Sequence, residues 1–481
     1  MHAAASLGGD AEMQGKAGAR DYGAFVERKL SRVPPTGITS RVELPAGLFP
    51  HQAALTAWAL RRGRAAIFSA TGTGKMFIEL AWADAVHRHT GRPVMIHTPL
   101  AVAAQIAREG KRVGIQAKVC REPADLIDGI NITNYERRHR FDSSVFAGVV
   151  LDESSCIKHS DTRTFAELTA AYRDTPFKLP ATATPAPNDW TELGTHAEFL
   201  GICTKQEMLA EFFCHDGGDT SVWRLKGHAR EIFWRWVASW GAMLRSPADL
   251  GFDDSAYVLP KLHICEHQVD FELPPAEGML FAVEAQSLSE RREARKASMD
   301  ARVAACAAVV NAEPDEAWVV WGELNAECDA LEAAIPGAIQ VAGADDIDTK
   351  EQRLTDFAEG RARVLVSKAS IAGWGCNWQH AARMAFVGVN DSWESWHQAI
   401  RRCWRFGQKR EVHVHVFASR AEGAVVANLK RKERDAEEMA ASLSTETRDA
   451  VMAEVTGLTR QTNAHHNSQR VRVPAFLVET A

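Results

Sequence analysis

The segment Ser69-Ala70-Thr71-Gly72-Thr73-Gly74-Lys75-Met76 sets two glycines ahead of a lysine at the spacing of a phosphate-binding loop. Glycines let consecutive backbone N–H groups curl around a triphosphate, and a lysine opening the next helix reaches the β- and γ-phosphates. Thr71, Gly72, Thr73, Gly74, Lys75 and Met76 are therefore candidate nucleotide-binding residues, with Lys75 also a catalytic one. One position departs from the pattern. Ser or Thr should follow the lysine, because that hydroxyl holds the nucleotide's Mg²⁺, and the thioether of Met76 is a soft, poor ligand for a hard cation. The loop reads as built for ATP with one part of its metal site missing.

A second constellation lies downstream. Asp152 and Glu153 close the apolar run Val145 to Leu151, so both carboxylates emerge at a strand end. Asp152 is placed to hold Mg²⁺ through water, and Glu153, also at the metal, to orient and deprotonate an attacking water. An Asp-Glu pair by itself commonly only caps a helix. Its position after a buried strand, downstream of a phosphate loop, favours chemistry.

These residues need elements to hold them. Arg64 to Ser69 reads as a short buried strand entering the loop, and Phe77 to His87 as the helix leaving it. From Leu48 to Pro185 short apolar runs alternate with helical periods, which predicts a parallel sheet covered by helices. Strands are expected at Ala65 to Phe68, Val94 to His97, Ile130 to Thr133 and Val145 to Leu151. A Trp-rich stretch from Trp190 to Leu250 follows, where Phe233, Trp236, Val237 and Trp240 fall at helical spacing and predict a helical insertion. Pro260 to Phe271 reads as a strand and Glu277 to Asn311 as a helix. A second strand series comprises the run from Ala317, Ile339 to Val341, Val364 to Ser367, Met384 to Val389 and Val412 to Phe417. The fold class is thus α/β, with two tandem parallel-sheet units: residues 1–45 a disordered lead-in, 46–258 the first unit with its insertion at about 190–250, 259–425 the second, and 426–481 a charged helix and polar tail.

Composition narrows the class further. A chain of 481 residues exceeds one ordinary core. It lacks an apolar run of about eighteen residues, so no membrane span is expected, and its first twenty residues have no signal-type apolar core. Nine cysteines without a CxxC pair argue against structural zinc and suit a reducing, cytoplasmic setting. A net charge of −6 excludes a broad basic face for nucleic acid but leaves room for a narrow cleft, with clusters at Arg137 to Arg140, Arg291 to Lys296, Arg401 to Arg405 and Lys430 to Arg434. Those starting at Arg291 and Lys430 read better as solvated helix faces.

Five further segments occur in order: Phe49-Pro50-His51-Gln52, His97-Thr98-Pro99-Leu100, Thr182-Ala183-Thr184-Pro185-Ala186-Pro187-Asn188, Gly373-Trp374-Gly375-Cys376-Asn377, and Gln398 to Gln408 with Arg402 and Arg405. With the loop and the Asp-Glu pair they resemble a superfamily 2 DEAD/DEAH-like helicase or translocase of the Swi/Snf-related branch. The run Thr182 to Leu200 is similar to phage and prophage helicases. The resemblance implies two RecA-like domains, ATP and Mg²⁺ as cofactors, nucleic acid (DNA in the first place) as partner, and the cytoplasm of a bacterial or phage-infected cell. It assigns adenine reading to Gln52, nucleic-acid contact to Thr98, Pro99, Lys368 and Ser370, coupling to Thr182, Thr184 and Gln398, nucleotide contact to Gly375, and the γ-phosphate to Arg402 and Arg405. Three apart, those two arginines would share a helix face and offer planar, permanently charged donors. Where the family has glycine near Arg401 or Cys403, this chain does not.

The late tryptophans Trp374, Trp378, Trp393, Trp396 and Trp404 read as core rather than as base-stacking platforms. For Tyr135, packing weighs at least as much as nucleic-acid contact. The leading function is an ATP-dependent DNA helicase or translocase. The alternative is a nucleotide-dependent DNA-binding scaffold whose hydrolysis is impaired because Met76 replaces the Mg²⁺-binding hydroxyl. A small-molecule kinase leaves the paired arginines and the second sheet unexplained.

Overall fold

Strands buried on both faces are apolar throughout, and parallel neighbours need long crossovers, usually helices. The computed structural model follows that logic twice. It describes residues 33–186, 189–216, 219–269, 297–372, 377–388 and 393–419, with residues 431, 444–445, 447–449, 451–453 and 455. In the first unit α1 (Pro50–Arg62), β1 (Ala66–Ser69), α2 (Lys75–Thr90), β2 (Val94–Thr98), α3 (Ala103–Arg112), β3 (Ala117–Val119), β4 (Ile130–Asn134), β5 (Gly148–Asp152), α4 (Arg163–Ala171) and β6 (Phe177–Thr182) succeed one another. β1, β2, β4, β5 and β6 are buried along their whole length.

The expected strand Val145 to Leu151 starts later, at Gly148. Asp142 accepts from the Ser144 N–H at 2.9 Å and caps a short 3₁₀ turn over Ser143–Val145, which takes Val145 out of the sheet.

The Trp-rich insertion is only partly helical. α5 (Leu193–Leu200) and α6 (Lys205–Phe212) lead into an antiparallel hairpin, β7 (Phe213–Asp216) and β8 (Asp219–Leu225), then α7 (Arg230–Ala238). That helix stops before Trp240, because Ser239 bonds its own hydroxyl to the Trp236 carbonyl at 2.7 Å. The chain then re-enters the first sheet as β9 (Gly241–Leu244), parallel to β1, with the Trp240 carbonyl accepting from Ala66 N–H at 2.8 Å. The sheet order is β3-β4-β2-β5-β6-β1-β9. One core, with Trp58 and Trp82, covers one face; another, with Phe233, Trp234 and Trp240, covers the other. Val451 and Val455, far along the chain, are buried in the first of these cores.

The second unit runs β10 (Leu262–Val269), α8 (Met299–Ala312), β11 (Trp318–Gly322), α9 (Asn325–Ala334), β12 (Ala338–Val341), α10 (Ile347–Ala358), β13 (Val364–Ser367), α11 (Ala369–Ala372), β14 (Arg383–Val387), α12 (Trp393–Ile400) and β15 (Val412–Ser419). Its sheet, also all parallel, has the order β10-β15-β14-β11-β13-β12. The chain is therefore an α/β protein with two tandem RecA-like parallel-sheet units. Most of 277–311 before α8, and nearly all of 426–481, lie outside the described residues. Trp378 and Trp396 are core residues, and the half-buried Trp404 donates its indole N–H to Pro260 at 2.7 Å.

A fully buried ion pair ties α8 to α9: Arg302 meets Glu327 at 2.7 Å, and Glu327 also accepts from the Glu323 and Leu324 N–H groups at the start of α9. Removing one partner strands a charge in the core. Arg302→Leu is expected to destabilise the second unit by about 3–5 kcal/mol, read as lost hydrogen-exchange protection in β11 and α9. Unchanged protection there would mean the pair contributes nothing.

Candidate nucleotide site between the two sheets

β2, β5, β6 and β1 are consecutive neighbours in the first sheet, so Thr98, Asp152, Thr182 and Ser69 emerge side by side at its carboxyl edge. Ligands of open α/β sheets collect at that edge. The phosphate loop is pinned from beneath. The Gln52 amide donates to the Thr73 carbonyl at 3.1 Å, His51 reaches the same carbonyl at 3.0 Å, and Thr73 Oγ1 donates to the Ala70 carbonyl at 2.8 Å. Gly74 has φ +87°, and a Cβ there would lie 2.1 Å from Gln52 Nε2. Only glycine fits.

Gln52 is thus occupied at both ends, since its Oε1 accepts from Phe49 N–H at 3.0 Å. In this structure it secures the loop; reading adenine would fall to its second amide hydrogen. Lys75 opens α2 and donates to the Ser69 carbonyl at 2.9 Å. Burial pulls its pKa down, against the opposing pull of Glu153, Asp152 and Glu79. Thr71, Gly72, Gly74, Lys75 and Met76 all line one cleft, while Thr73 is buried in the loop's own bonding.

Asp152 is buried, and burial first, then the neighbouring Glu153, raises its pKa to about 6. Two groups orient it. Thr98 Oγ1 donates to its carboxylate at 2.7 Å, and the Tyr135 hydroxyl donates to its backbone carbonyl at 2.7 Å. Thr98 is fully buried with its hydroxyl on the acid, whereas Tyr135 turns its hydroxyl inward while also lining the cleft that Pro99 and Ser370 border. Glu153 adopts φ +52°, which no other described non-glycine residue shares on the positive side. Such strain persists where the surroundings over-determine it. One of its carboxylate oxygens is buried and unpartnered.

The opposite wall of the cleft comes from the second unit. The cleft encloses about 540 Å³, and Arg402 and Arg405 line it together with Lys75, Asp152 and Glu153. The arginines do not share a helix: α12 ends at Ile400, and both sit in the turns that follow. They converge because that segment is held elsewhere. Arg402 donates from Nε to the Gln398 carbonyl and from Nη2 to the Gln398 side chain, both at 2.8 Å, and Gln408 anchors the turn by donating to the Gln379 and Ala381 carbonyls at 3.0 and 3.1 Å. Gln398 thus presents Arg402. Thr182, assigned to coupling with it, is buried and accepts from Thr184 N–H at 3.2 Å. Gly375 lies outside the described residues.

Three features escaped sequence reading. Phe406 packs against Tyr257, with ring centroids 4.7 Å apart, and against Phe49 at 6.1 Å, closing the mouth of the cleft across both units. The Phe406 backbone also lies 3.1 Å from where a Gly72 Cβ would stand. The third is Glu79 on α2, with no exposed surface, no N–H or hydroxyl donor on either carboxylate oxygen, and the Asp152 carboxyl beside it. Burial, followed by Asp152, holds its pKa well above the usual carboxylate range. An acid four residues after the loop lysine was the available signal.

Hard, buried oxygen donors with lone pairs to spare suit a divalent cation such as Mg²⁺, and Asp152, Glu153 and Glu79 fit that description. A separate group, His263, Glu411 and His413, brings ligand-type atoms within 4.8 Å of one another at the start of β10 and β15, away from this cleft.

A second cleft of about 540 Å³ also spans the units, lined by Pro99, Lys158, Lys350 and Ser370 among others. Pro99 and Ser370, grouped in the sequence as nucleic-acid contacts, both line it. Lys368 sits at the end of β13, half-buried, with its carbonyl accepting from Ile371 and Ala372 N–H in α11. The cluster Arg137 to Arg140 is not a free basic patch. Arg137 is buried and pairs with Glu351 and Asp348 on α10, Arg138 pairs with Glu167, and Arg140 donates to the Arg121 carbonyl.

No family model matches the chain, and no curated protein is similar to it in sequence. Among solved structures it is similar to the SWI2/SNF2 ATPase core of Sulfolobus solfataricus in complex with dsDNA, at 15% identity and a TM-score of 0.39, covering 86% of this chain and 98% of that one. The likeness to phage and prophage proteins finds no support in these comparisons. No helix among the described residues is long and apolar enough to cross a membrane.

Ion pairs from α10 also join the two units: Arg121 with Glu351 at 2.7 Å and Asp348 at 3.2 Å, and, just beyond that helix, Arg108 with Glu359 at 3.6 Å. Exposed pairs contribute about 0–1 kcal/mol each and weaken with salt. Glu351→Lys is expected to raise the radius of gyration in small-angle scattering, and high salt is expected to do the same for the unaltered protein. An unchanged profile in both would assign the clamp to the aromatic contacts instead.

Proposed function

We propose that the protein is an ATP-dependent DNA translocase of helicase type, in which nucleotide in the first cleft draws the two units together. The observation that carries the reading is one cleft lined by a phosphate loop, an Asp-Glu pair and two arginines from the other unit. The triphosphate lies along the loop N–H groups. Lys75, with three donors, keeps Ser69 while reaching the β- and γ-phosphate oxygens. Glu153 takes a proton from water as its oxygen bonds to the γ-phosphorus; the bond to the β–γ bridging oxygen breaks, and ADP leaves with that electron pair. Mg²⁺, held through Asp152, would screen the phosphate charge. Arg402 and Arg405 balance the charge on the transferring group, so losing phosphate removes their reason to stay.

Nucleic acid is assigned to the second cleft, which Pro99 and Ser370 line from the two units and where Lys158 and Lys350 stand beside Glu136 and Glu153, so a phosphate backbone would run along the lysine side. Because the motif resemblance is to duplex translocases, double-stranded DNA is the first substrate to try. A scaffold reading, with nucleotide bound but little hydrolysis, draws on Met76, which packs against the first core while lining the cleft.

The test is ATP turnover with single-stranded DNA, duplex DNA and RNA side by side. DNA is expected to stimulate turnover, and Glu153→Gln to lower kcat by at least about 100-fold while ATP still binds. Turnover indifferent to every nucleic acid would end the translocase reading, and Mg·ATP binding without turnover would favour the scaffold.

A further inference from the structure

We infer that Glu79 completes the divalent-cation site of the nucleotide cleft, supplying a hard oxygen where Met76 has removed the usual hydroxyl. The inference rests on the nucleotide reading of that cleft.

Glu79 follows Met76 by three residues and Lys75 by four on α2, so the three occupy adjoining positions on one side of the helix. Side chains on a helix lean toward its N-terminus. A glutamate one turn along therefore leans toward the loop end of α2, where it lies behind the cleft lining and beside Asp152. Its surroundings agree. Glu79 has no solvent exposure, neither oxygen accepts from an N–H or hydroxyl group, and the Asp152 carboxyl lies within side-chain hydrogen-bonding reach of it, with Lys75 near enough to act electrostatically. Lys75 does not hydrogen-bond it, because its ammonium is turned to the Ser69 carbonyl.

A buried carboxyl without a partner is expensive, and it persists where something other than protein satisfies it. A cation between Asp152 and the phosphates would do so. A carboxylate also suits the ion better than the hydroxyl it replaces, being hard and anionic.

The experiment titrates Mn²⁺, followed by electron paramagnetic resonance, into the full-length protein holding a non-hydrolysable β,γ-imido analogue of ATP. Affinity for the analogue in EDTA is measured alongside. Glu79→Gln is expected to weaken Mn²⁺ by about 10- to 100-fold and to leave metal-free analogue affinity within about twofold. Adding the missing hydroxyl in the double variant Met76→Thr, Glu79→Gln should recover most of the loss. Mn²⁺ affinity in Glu79→Gln within about threefold of the unaltered protein, far short of a lost ligand, overturns the inference, as does a double variant no better than Glu79→Gln.

Met76→Thr alone gives a test that does not depend on Glu79→Gln folding. With the position already filled by Glu79, Mn²⁺ affinity rises by less than about threefold; a rise of about tenfold or more, the size of a gained ligand contact, shows that it was empty and overturns the inference. If the unaltered protein binds no analogue with or without Mn²⁺, the nucleotide reading falls, and this inference with it. Intact analogue binding with Mn²⁺ insensitive to Glu79 removes the inference alone.

Discussion

One ammonium and three carboxyl groups, Lys75, Glu79, Asp152 and Glu153, are buried together at a single edge of the first sheet. Taking such groups out of water costs several kcal/mol per ion unless partners replace the solvent. Much of the neighbouring polar chemistry is explained by that cost. The Ser69 carbonyl takes Lys75, Thr98 and Tyr135 hold Asp152 by its side chain and its backbone, and Gln52 and His51 fix the loop that sets Lys75 in place. What stays unsatisfied is confined to Glu79 and Glu153 within this group. The deficit is one of positive charge and hydrogen-bond donors, which on the proposed reading the divalent cation and the attacking water would supply.

The parallel register makes this concentration possible. Strand ends of a parallel sheet all point one way, so residues from β1, β2, β5 and β6 arrive at one edge despite lying more than a hundred positions apart in the chain. In an antiparallel sheet half of them would be at the opposite edge. Local patterns therefore told a good deal: the loop, the Asp-Glu pair and most strands are contiguous signals whose meaning survives folding. Motif membership failed where the decisive partner is distant. Thr98 stands in a segment associated with nucleic acid, yet Asp152 takes its hydroxyl. Arg402 and Arg405 have helical spacing, yet the helix ends two residues before the first of them. Their convergence depends on Gln398 and Gln408 and not on a shared helical face.

The longest-range features were invisible for the same reason. Nothing in the Trp-rich insertion announces that it returns as β9 beside β1, because a four-residue apolar run has no partner written into it. Val451 and Val455 bury themselves in the first core from beyond the second unit, and no periodicity links them to α1 or α2. Tyr257 and Phe406 meet across nearly the whole of the second unit's sequence, and the facing of the two units brings Phe406 to Phe49 as well.

That closure has a mechanical consequence at Gly72. Its φ of +93° favours glycine, and the backbone nitrogen and Cβ of Phe406 both stand 3.1 Å from where a Gly72 Cβ would go. The phosphate loop and the turn carrying Arg402 and Arg405 are therefore seated closely against each other at Gly72 and Phe406. A shift of either backbone must be felt by the other, since close-packed contacts do not absorb displacement gradually. On the proposed reading, occupancy of the loop and the stance of the arginines become a single variable. The same rigid second unit carries Ser370 and Lys350 to the other cleft, so moving the arginine turn relative to the loop also moves that wall relative to Pro99.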